Sequence, residues 1–489
     1  MRKLLMIVCG LCLTQSGLGQ QSEPVSKPNV VVFLVDDMGW KDLGCYGAKL
    51  YETPNVDQLC AEGIRYTQMY TSAPICSPAR ATLMTGRNPL KLGMWTYTHI
   101  LSPDTKTILP GYLKERGYQT WHVGKWHLGQ NSDGTLPHQL GFDRNIAGST
   151  AHQPGTFFWP YKFTQAGTDP VPPDSTKFNS LMSSGKAGEY LTDRLATETL
   201  QLIDQRDPHK PFFLNFSFYQ VHNADRGKKE GKPALVKKYQ QKINRLDLKP
   251  TYRKDPKTGR KLLTSETNPK YAAMIELMDT AVGRVVAKLK AIGEYENTLF
   301  LFLSDNGPTV NDVPCAPLNG GKNSTYEAGV RVPAIAVWTG KIKPGTEYNG
   351  PVYLADIFST VMDVTGATLP ADYASDGYSL VPTFYGKSLD VKRQLFWYFP
   401  ENRPHWGQRA NAALFDTATQ MKYILFFTGD EDEMYHIPSD IAERKNLINE
   451  RPELASQLRN SLKKKLNSLY PNLPPPPEQY KPGVEARLK

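Results

Sequence analysis

The stretch that decides the fold is residues 29–35, NVVVFLV, which is followed at once by Asp36 and Asp37. A continuous apolar and β-branched run of this length is typical of a strand buried on both faces, as the strands of parallel sheets are. Comparable runs lie at residues 119–123, 211–218, 298–304 and 332–338. The chain is therefore predicted to build a large, mostly parallel central sheet.

Helical patterns lie between these runs. Residues 52–63 place Val56, Leu59 and Cys60 on one face, and residues 269–292 keep apolar positions three and four residues apart over about six turns. An alternation of strands and helices predicts an α/β fold in which helices sandwich the sheet.

After about residue 390 the pattern changes. Three short apolar runs and one amphipathic stretch follow, at residues 393–399, 411–416, 421–427 and 453–469. They predict a small antiparallel sheet with one helix on it. We therefore divide the chain into a large N-terminal domain, residues 27–390, and a C-terminal α+β subdomain, residues 391–489, whose Pro-rich tail is expected to be extended.

Polar residues follow four of the predicted strands, at the point where each strand ends. They are Asp36, Asp37, Lys125, His127, His222, Asp305 and Asn306. Because the carboxyl ends of parallel strands meet at one edge of a sheet, and ligands gather there, we expect these side chains to form one site.

The N-terminus predicts export. Residues 1–19 begin with Arg2 and Lys3 and continue with an apolar run of ten positions, which is too short to span a bilayer and is typical of a signal peptide. The alternative is a buried N-terminal helix. Neither cysteine of this stretch has lipobox surroundings, so no lipid anchor is expected, and no later segment approaches transmembrane length. The short basic start favours a bacterial protein that is periplasmic or secreted.

Cysteine and charge limit the remaining possibilities. Removing residues 1–19 takes away two positive charges and no acid, so the net charge falls from +10 to +8. The four remaining cysteines are too few for a disulfide framework, although a bridge between Cys45 and Cys60 stays open. No nucleic-acid motif accompanies the positive charge, and binding to nucleic acid would conflict with export.

One segment is strongly basic. Residues 226–261 hold 14 Lys or Arg against 3 Asp or Glu. The segment is predicted to be an insertion, for which two interpretations stand: a solvated loop, or a basic rim that faces an anionic polymer.

The stretch CSPARATLMTGR, residues 76–87, places a cysteine at a helix entrance. Ser77 is a good N-cap, Pro78 suits the first helical position and Gly86 suits the helix end. Cys76 would then lie just ahead of a helix N-terminus, where free N–H groups favour anions, with Arg80 about one turn further in.

The order Cys-x-Pro-x-Arg, then Thr-Gly-Arg, resembles the modification motif of the type I, formylglycine-dependent sulfatases of the alkaline phosphatase superfamily. Ala79 stands where that family more often has serine. In the family the cysteine is oxidised before folding to Cα-formylglycine (3-oxoalanine). The resemblance thus implies that Cys76 is the target of a formylglycine-generating enzyme and that the fold is the alkaline-phosphatase-like sulfatase fold.

Further motifs carry the same resemblance, to the glycan-active, arylsulfatase-like branch. GKWHLG (124–129) is similar to a family element, and so is NGGKNSTYEAGVRVP (319–333), in which Ala328 replaces a glycine; YQVHNAD (219–225) lacks the family's usual proline. The implied catalytic residues are Cys76 as nucleophile, Arg80, Lys125, His127 as base, His222 as acid, and Lys322. The implied ligands of one Ca²⁺ per chain are Asp36, Asp37, Asp305, Asn306 and residue 76 as formylglycine. Arg87 and Arg331 are expected to hold structure together.

The function implied by the resemblance is hydrolysis of sulfate esters of carbohydrates. A formylglycine gem-diol would attack sulfur and form a covalent enzyme–sulfate intermediate. The alternatives are a phosphonate or phosphate ester hydrolase of the same superfamily and a non-catalytic protein that binds sulfated glycans. The aromatic cluster at residues 157–161 suggests a surface that stacks on sugars, and a galactose- or N-acetylgalactosamine-type sugar is our expectation. The sugar position, exo or endo action and oligomeric state stay open.

Overall fold

The computed structural model describes residues 27–469, except residues 99, 103–107, 130, 162–183, 225–226, 255–260, 311–312 and 403–408. The predicted signal peptide and the Pro-rich tail lie outside the described residues. Within those residues, no helix is both long enough and apolar enough to cross a membrane.

The strands of the described chain belong to one large sheet, one small sheet and one hairpin. In chain order they are β1 (Asn29–Val35), β2 (Ile64–Tyr70), β3 (Gln119–Gly124), β4 (Arg144–Ile146), β5 (Phe212–Ser217), β6 (Tyr252–Lys254), β7 (Lys261–Leu263), β8 (Thr298–Ser304), β9 (Arg331–Val337), β10 (Thr346–Tyr348), β11 (Val352–Tyr353), β12 (Gln394–Phe399), β13 (Asn411–Asp416), β14 (Met421–Phe426) and β15 (Glu433–His436).

The helices lie between the strands, as the alternating pattern predicts. They are α1 (Pro54–Glu62), α2 (Cys76–Thr85), α3 (Leu109–Glu115), α4 (Leu191–Asp204), α5 (Pro233–Arg245), α6 (Pro269–Ala291), α7 (Glu327–Val330), α8 (Leu354–Thr365), α9 (Val381–Phe384) and α10 (Pro452–Leu469). Short 3₁₀ turns are formed by Gly44–Tyr46, Pro89–Leu92, Asn131–Asp133 and Pro137–Gln139.

The large sheet has nine strands in the order β10-β2-β9-β8-β1-β5-β3-β4, with β11 paired to β2. β1 is central and runs parallel to both β5 and β8, and β3 extends the parallel block. β9 is the exception, because it pairs antiparallel with both β8 and β2. The predicted mostly parallel sheet is confirmed. The polar strand β2 gave no clear signal in the sequence.

Side chains of β1 alternate between the two faces of the sheet, and every residue of the strand is buried. One face carries Val31, Phe33 and Val35, which pack with α1, α4 and α6. The other face carries Val30, Val32 and Leu34, which pack with α2, α3 and α8. The two apolar cores confirm the predicted sandwich and explain why the run at residues 29–35 has no polar position after its first.

The small sheet is antiparallel, in the order β12-β13-β14-β15. α10 packs on one of its faces through Leu458 and Leu462. The other face packs on the large domain, where Trp397 lies in a cluster with Tyr70 and Tyr353. The predicted C-terminal sheet with a helix on it is confirmed, and it gains a fourth strand, β15.

A buried ionic cluster, which we call the intersheet cluster, joins the two sheets. It consists of Lys422, Glu327, Glu443 and Arg331. Lys422 Nζ lies 3.0 Å from a carboxylate oxygen of each glutamate, and Arg331 Nη1 lies 3.4 Å from Glu327 Oε2. Arg331 also donates to the backbone oxygen of Thr67. This agrees with the structural role expected for Arg331.

The basic segment 226–261 is more ordered than a solvated loop. It contains helix α5 and the hairpin of β6 and β7. Several of its lysines are held in ion pairs: Lys232 with Asp193, Lys238 with Glu52 and Glu276, and Lys242 with Glu52. This part of the segment is therefore a helix and a hairpin and not a loop, and acids on or next to neighbouring elements compensate three of its lysines.

The aromatic cluster at residues 157–161 is not an exposed stacking surface. Phe157 and Tyr161 are fully buried, and Phe157 stacks on Tyr190 with ring centroids 5.7 Å apart. Tyr190 directly precedes α4 and belongs to the same core. The suggested role of this cluster in sugar binding is therefore wrong for its two buried rings.

Candidate active site

The carboxyl ends of four parallel strands meet at one edge of the large sheet. β1 leads to Asp36 and Asp37, β8 leads to Asp305 and Asn306, and β3 and β5 lead to the segments that carry the lysine and the two histidines. Two further segments reach the same edge: α2, which follows β2, and the loop before β9, which can do so because β9 runs antiparallel. All ten residues predicted for the site are brought together here.

Three carboxylates form the centre of the site. Oxygens of Asp36, Asp37 and Asp305 all lie within 4.8 Å of one another, and all three residues are completely buried. Asn306 Nδ2 donates to Asp37 Oδ1 at 2.7 Å. Asp36 Oδ1 and Asn306 Oδ1 accept no hydrogen bond from the described residues. Buried carboxylate and amide oxygens that accept no hydrogen bond are suitable hard ligands. The four residues therefore fit a divalent cation such as Ca²⁺.

Arg80 binds the carboxylates from one side. Its Nε donates to Asp305 Oδ2 at 2.8 Å and its Nη2 lies 3.5 Å from Asp36 Oδ1. Its Nη1 donates to Ser217 Oγ at 2.6 Å and to the backbone oxygen of Lys125. The guanidinium thus connects the ends of four strands, β1, β3, β5 and β8.

Two buried lysines complete the positive charge. Lys125 Nζ donates to Asp36 Oδ2 at 2.7 Å, and Lys322 Nζ lies 2.6 Å from Asp37 Oδ1. Burial acts to raise the pKa of Asp36, but Lys125 and its neighbours hold that pKa far below its ordinary value. Burial raises the pKa of Asp305 to about 7 in spite of Arg80. Three cations therefore face three carboxylates before any ligand is added.

Cys76 is the first residue of α2. We expected Ser77 to be the N-cap, but the cap is Ile75, whose backbone is extended, so Cys76 is already helical. The predicted helix end is confirmed, since Gly86 follows Thr85 with a left-handed φ of 69°. Cys76 Sγ lies 3.4 Å from His127 Nδ1 and 4.0 Å from Lys322 Nζ. Burial raises the pKa of this thiol.

The two histidines approach from different loops. His222 Nε2 lies 3.5 Å from Asp37 Oδ2, and its Nδ1 lies 2.9 Å from the backbone oxygen of Asn223. Burial and the neighbouring Lys322 lower the pKa of His222 to about 3, and burial with Lys125 lowers that of His127 well below its ordinary value. Burial therefore favours the neutral form of both imidazoles.

The backbone at this edge is tightly constrained. Asp37 and His127 have left-handed φ values of 59° and 58°, which side-chain-bearing residues adopt only where the surroundings require it. Gly124 has a φ of 95°, and a Cβ there would meet the backbone oxygen of Ser217 at 1.9 Å. Glycine at this position lets β3 and β5 approach closely enough to deliver Lys125 to the carboxylates.

Three residues at the site were missed in the sequence. Ser217 ends β5 and accepts a hydrogen bond from Arg80. Its position at the end of an apolar run could have suggested this role. The His152 ring centroid lies 5.8 Å from that of His127 and 6.3 Å from that of His222. Phe399, at the end of β12, lies in one apolar cluster with Cys76. No sequence signal indicates the last two contacts, because they depend on how distant segments dock.

Comparison with family models agrees with this geometry. The family model described as Sulfatase matches residues 28–367, and the one described as N-sulphoglucosamine sulphohydrolase, C-terminal, matches residues 321–471. Together they span both sheets of the protein.

Individual proteins are similar over most of the chain. The N-acetylgalactosamine-6-sulfatase of Canis lupus familiaris is 33% identical over 411 residues, which cover 79% of this chain and 71% of the relative. Arylsulfatase A of Homo sapiens is 31% identical over 395 residues, which cover 76% and 70%. The solved structure of Ps i-CgsB in complex with k-i-k-neocarrahexaose is 25% identical with a TM-score of 0.70 and covers 90% of this chain and 93% of its own.

Proposed function

The chain belongs to the sulfatase family of sulfuric ester hydrolases, and we propose that it removes sulfate from a sulfated carbohydrate with residue 76, matured from cysteine to formylglycine, as its nucleophile. The observation that carries the proposal is the position of Cys76. Its Sγ is 3.4 Å from a histidine nitrogen and 4.0 Å from a lysine nitrogen, at the edge of the carboxylate cluster.

We propose that Asp36, Asp37, Asp305 and Asn306 hold one Ca²⁺, with residue 76 contributing once it is matured. Three carboxylates and an amide oxygen suit this cation better than a softer metal. When bound, the cation supplies positive charge that favours ionisation at residue 76 and offsets the charge of the sulfate ester. The unbonded oxygens of Asp36 and Asn306 support this assignment.

The maturation of Cys76 gives the site a chemistry that cysteine or serine lacks. A hydrated formylglycine supplies two hydroxyl groups on one carbon, one to attack sulfur and one to release the bound sulfate. Both roles need a neighbouring base. His127 is placed for this, because its Nδ1 faces the side chain of residue 76 and burial keeps the ring neutral.

Lys322 and Lys125 counter the charge of the substrate. Lys322 Nζ lies beside both Asp37 and Cys76, which is where an oxygen of the sulfate group would have to sit. Lys125 has no exposed surface and is fixed on Asp36, so its charge acts on the site without changing position. Preorganised cations of this kind stabilise negative charge that develops in the transition state.

His222 is the proposed general acid for the departing alcohol oxygen. Its Nδ1 is held by the backbone oxygen of Asn223, which orients Nε2 toward the carboxylate cluster. Burial and Lys322 disfavour the protonated ring and Asp37 and Asp36 oppose them only in part, so the ring must gain a proton before it can act as an acid. His127 and His222 thereby take different roles from different surroundings.

A carbohydrate substrate is supported by the relatives. One is named N-acetylgalactosamine-6-sulfatase, and one structural neighbour was solved with neocarrahexaose. A galactose- or N-acetylgalactosamine-type sugar is therefore our first choice. Membership of the sulfatase family favours a sulfate ester over a phosphonate or phosphate ester.

We further propose that residues 1–19 direct export to the periplasm or the medium, and that a formylglycine-generating enzyme acts on Cys76. The basic and apolar composition of residues 1–19 supports export. The motif at residues 76–87 supports maturation.

The test measures free sulfate released from a panel of sulfated mono- and oligosaccharides and their parent polymers. The enzyme would first be shown by peptide mass to carry the matured residue 76. We expect release from galactose-type sugars and none from the Cys76→Ala variant. Absence of sulfate release across the panel by fully matured enzyme would contradict the proposal.

A further inference from the structure

A long surface groove lies at the edge of the large sheet, away from the site. Its larger part, about 860 Å³, is bounded by the loop after β9, by edge strand β10 and by residues 383–388. A smaller part of about 260 Å³ shares Tyr348 with it and continues to Tyr378 and Lys392. We call the two parts together the edge groove.

The edge groove is separate from the carboxylate cluster. Ile64, which begins β2, lines the groove, whereas Tyr70, which ends β2, lies on the side of Cys76. Seven residues of strand span roughly 20 Å at about 3.3 Å per residue. A ligand in the groove therefore cannot contact the residues that surround Cys76 with the same sugar unit.

Aromatic rings are unusually exposed along the groove. Tyr385 and Tyr378 are 60% and 49% exposed, and they are two of the five large hydrophobic side chains that are exposed in the described residues. The ring of Tyr348 forms part of the wall of both halves. A row of accessible rings can stack on the flat faces of sugars, and exposure of apolar surface of this kind marks a binding site.

Exposed lysines without ion-pair partners in the described residues give the groove its positive charge. Its four exposed lysines are Lys341, Lys343, Lys387 and Lys392. None of them forms an ion pair with any residue in the described part of the chain. Of the two acids in the groove, Glu347 pairs with Arg65, which leaves Asp390 as the opposing charge.

In the basic segment 226–261, by contrast, several lysines form ion pairs with acids. Lys238 lies 2.6 Å from Glu52, and Lys242 lies 2.8 Å from the same carboxylate. Those charges are used to hold α5 on the domain, whereas the charges of the edge groove are directed to solvent. Charge complementarity therefore points to an anionic ligand at the groove.

We propose that the edge groove binds a sulfated polysaccharide chain as a second, non-catalytic site. The tyrosines stack on sugar rings and the lysines contact sulfate groups. The identity of this ligand rests on the proposed function, because a substrate polymer would supply both features. Binding there holds the enzyme on a long chain while other residues of the polymer enter the site, so it raises activity on polymers and leaves short substrates unaffected.

The test compares two variants of the mature enzyme that change the net charge equally. Lys343→Glu with Lys387→Glu reverses charge in the groove, and Lys237→Glu with Lys464→Glu reverses two exposed lysines elsewhere. The probe is dextran sulfate, with uncharged dextran beside it, in affinity electrophoresis. We expect the groove variant to bind dextran sulfate about tenfold more weakly and the control variant to bind nearly as wild type.

A third variant separates stacking from charge. Tyr385→Ala keeps the net charge and is expected to weaken dextran sulfate binding about threefold. Since these side chains are exposed, melting temperatures and turnover of 4-nitrophenyl sulfate should match wild type in all three variants. The binding assay does not depend on turnover. It therefore tests the groove even if the proposed carbohydrate substrate is wrong.

Three outcomes would overturn the proposal. An equal loss in the control variant would mean that net charge alone attracts the polymer. Equal binding of uncharged dextran would remove the role of sulfate. Equally tight binding of double-stranded DNA, lost in the same variants, would make the groove a site for polyanions in general.

Discussion

Two of the protein's buried charge clusters, the carboxylate cluster and the intersheet cluster, differ in what their charges do. In the carboxylate cluster, Asp36, Asp37 and Asp305 face three cations, and oxygens of all three converge within 4.8 Å of one another. In the intersheet cluster, Lys422 lies 3.0 Å from both of its glutamates, and nothing there resembles a nucleophile. The first cluster therefore offers three carboxylates to one cation, whereas the charges of the second join two sheets.

The difference between the two clusters allows effects on activity to be separated from effects on stability. Buried ion pairs contribute little net stability, but removing one partner is costly because the other charge stays buried. Variants of the catalytic cluster should therefore change activity first, and variants of the intersheet cluster should change the free energy of unfolding first.

The largest effect is expected from Cys76→Ala. Removal of a catalytic nucleophile should lower sulfate release by at least about a thousandfold. The melting temperature should stay close to wild type, because alanine suits the first turn of α2. Cys315→Ala, at a half-buried cysteine outside the site, is the matched control and should keep activity. Substantial activity in Cys76→Ala would exclude residue 76 as the nucleophile.

The next effect is on stability. Lys422→Met leaves Glu327 and Glu443 buried without their shared cation, which should cost about 3–5 kcal/mol of unfolding free energy. Denaturant unfolding measures this loss, and kcat/KM of the remaining folded protein should be nearly unchanged. Lys445→Met removes an exposed pair with Glu450 and should cost less than about 1 kcal/mol. Equal costs for the two variants would remove the distinction between the clusters.

Metal removal should act on the catalytic cluster alone. If free Ca²⁺ exceeds its dissociation constant a hundredfold, chelation should cost about 3 kcal/mol of stability as well as activity, and added Ca²⁺ should restore both. Scanning calorimetry with and without chelator measures the shift. In Asn306→Ala the shift should shrink, whereas in Glu443→Gln it should stay. No shift in the wild-type protein would refute the metal assignment.

The smallest effect concerns pH. Burial raises the pKa of Glu443 to about 8, against the opposing attraction of Lys422. A raised pKa means that the folded protein binds this proton more tightly than the unfolded chain does. The resulting stability is fully present below about pH 4.5 and is lost as pH rises through about 8.

The Glu443→Gln variant keeps the shape of the protonated side chain without its titration. As pH rises from 5 to 9, the wild type should therefore lose unfolding free energy relative to the variant. Urea unfolding across that range gives the measurement. Parallel pH profiles for the two proteins would show that Glu443 does not titrate in this window.

Local patterns in the sequence predict the catalytic edge well. Asp36, Lys125 and Asp305 each follow a buried strand directly, and parallel strands force such positions onto one edge. The helix at residues 269–292 and the small C-terminal sheet also follow from periodicity alone. These features depend on the chain within a few residues of themselves.

What the sequence did not predict depends on distant contacts. The sequence of β2 mixes polar and apolar residues without a clear pattern, and its pairing with β9, β10 and β11 makes it a strand. Lysines of segment 226–261 form ion pairs with acids on or next to α1, α4 and α6. A count of charges within the segment could therefore not predict that these lysines are compensated. The ring of His152 reaches the site through a loop whose course carries no periodic signal.

The apolar cluster that holds both Phe399 and Cys76 imposes an order in time. The two residues are 323 positions apart (399 − 76), and Cys76 is 2% exposed in the folded protein. At about 5–20 residues per second, a ribosome needs roughly 15–65 s to add that length of chain. The oxidation of Cys76 that we propose would therefore have a window that opens with the synthesis of α2 and closes when β12 docks.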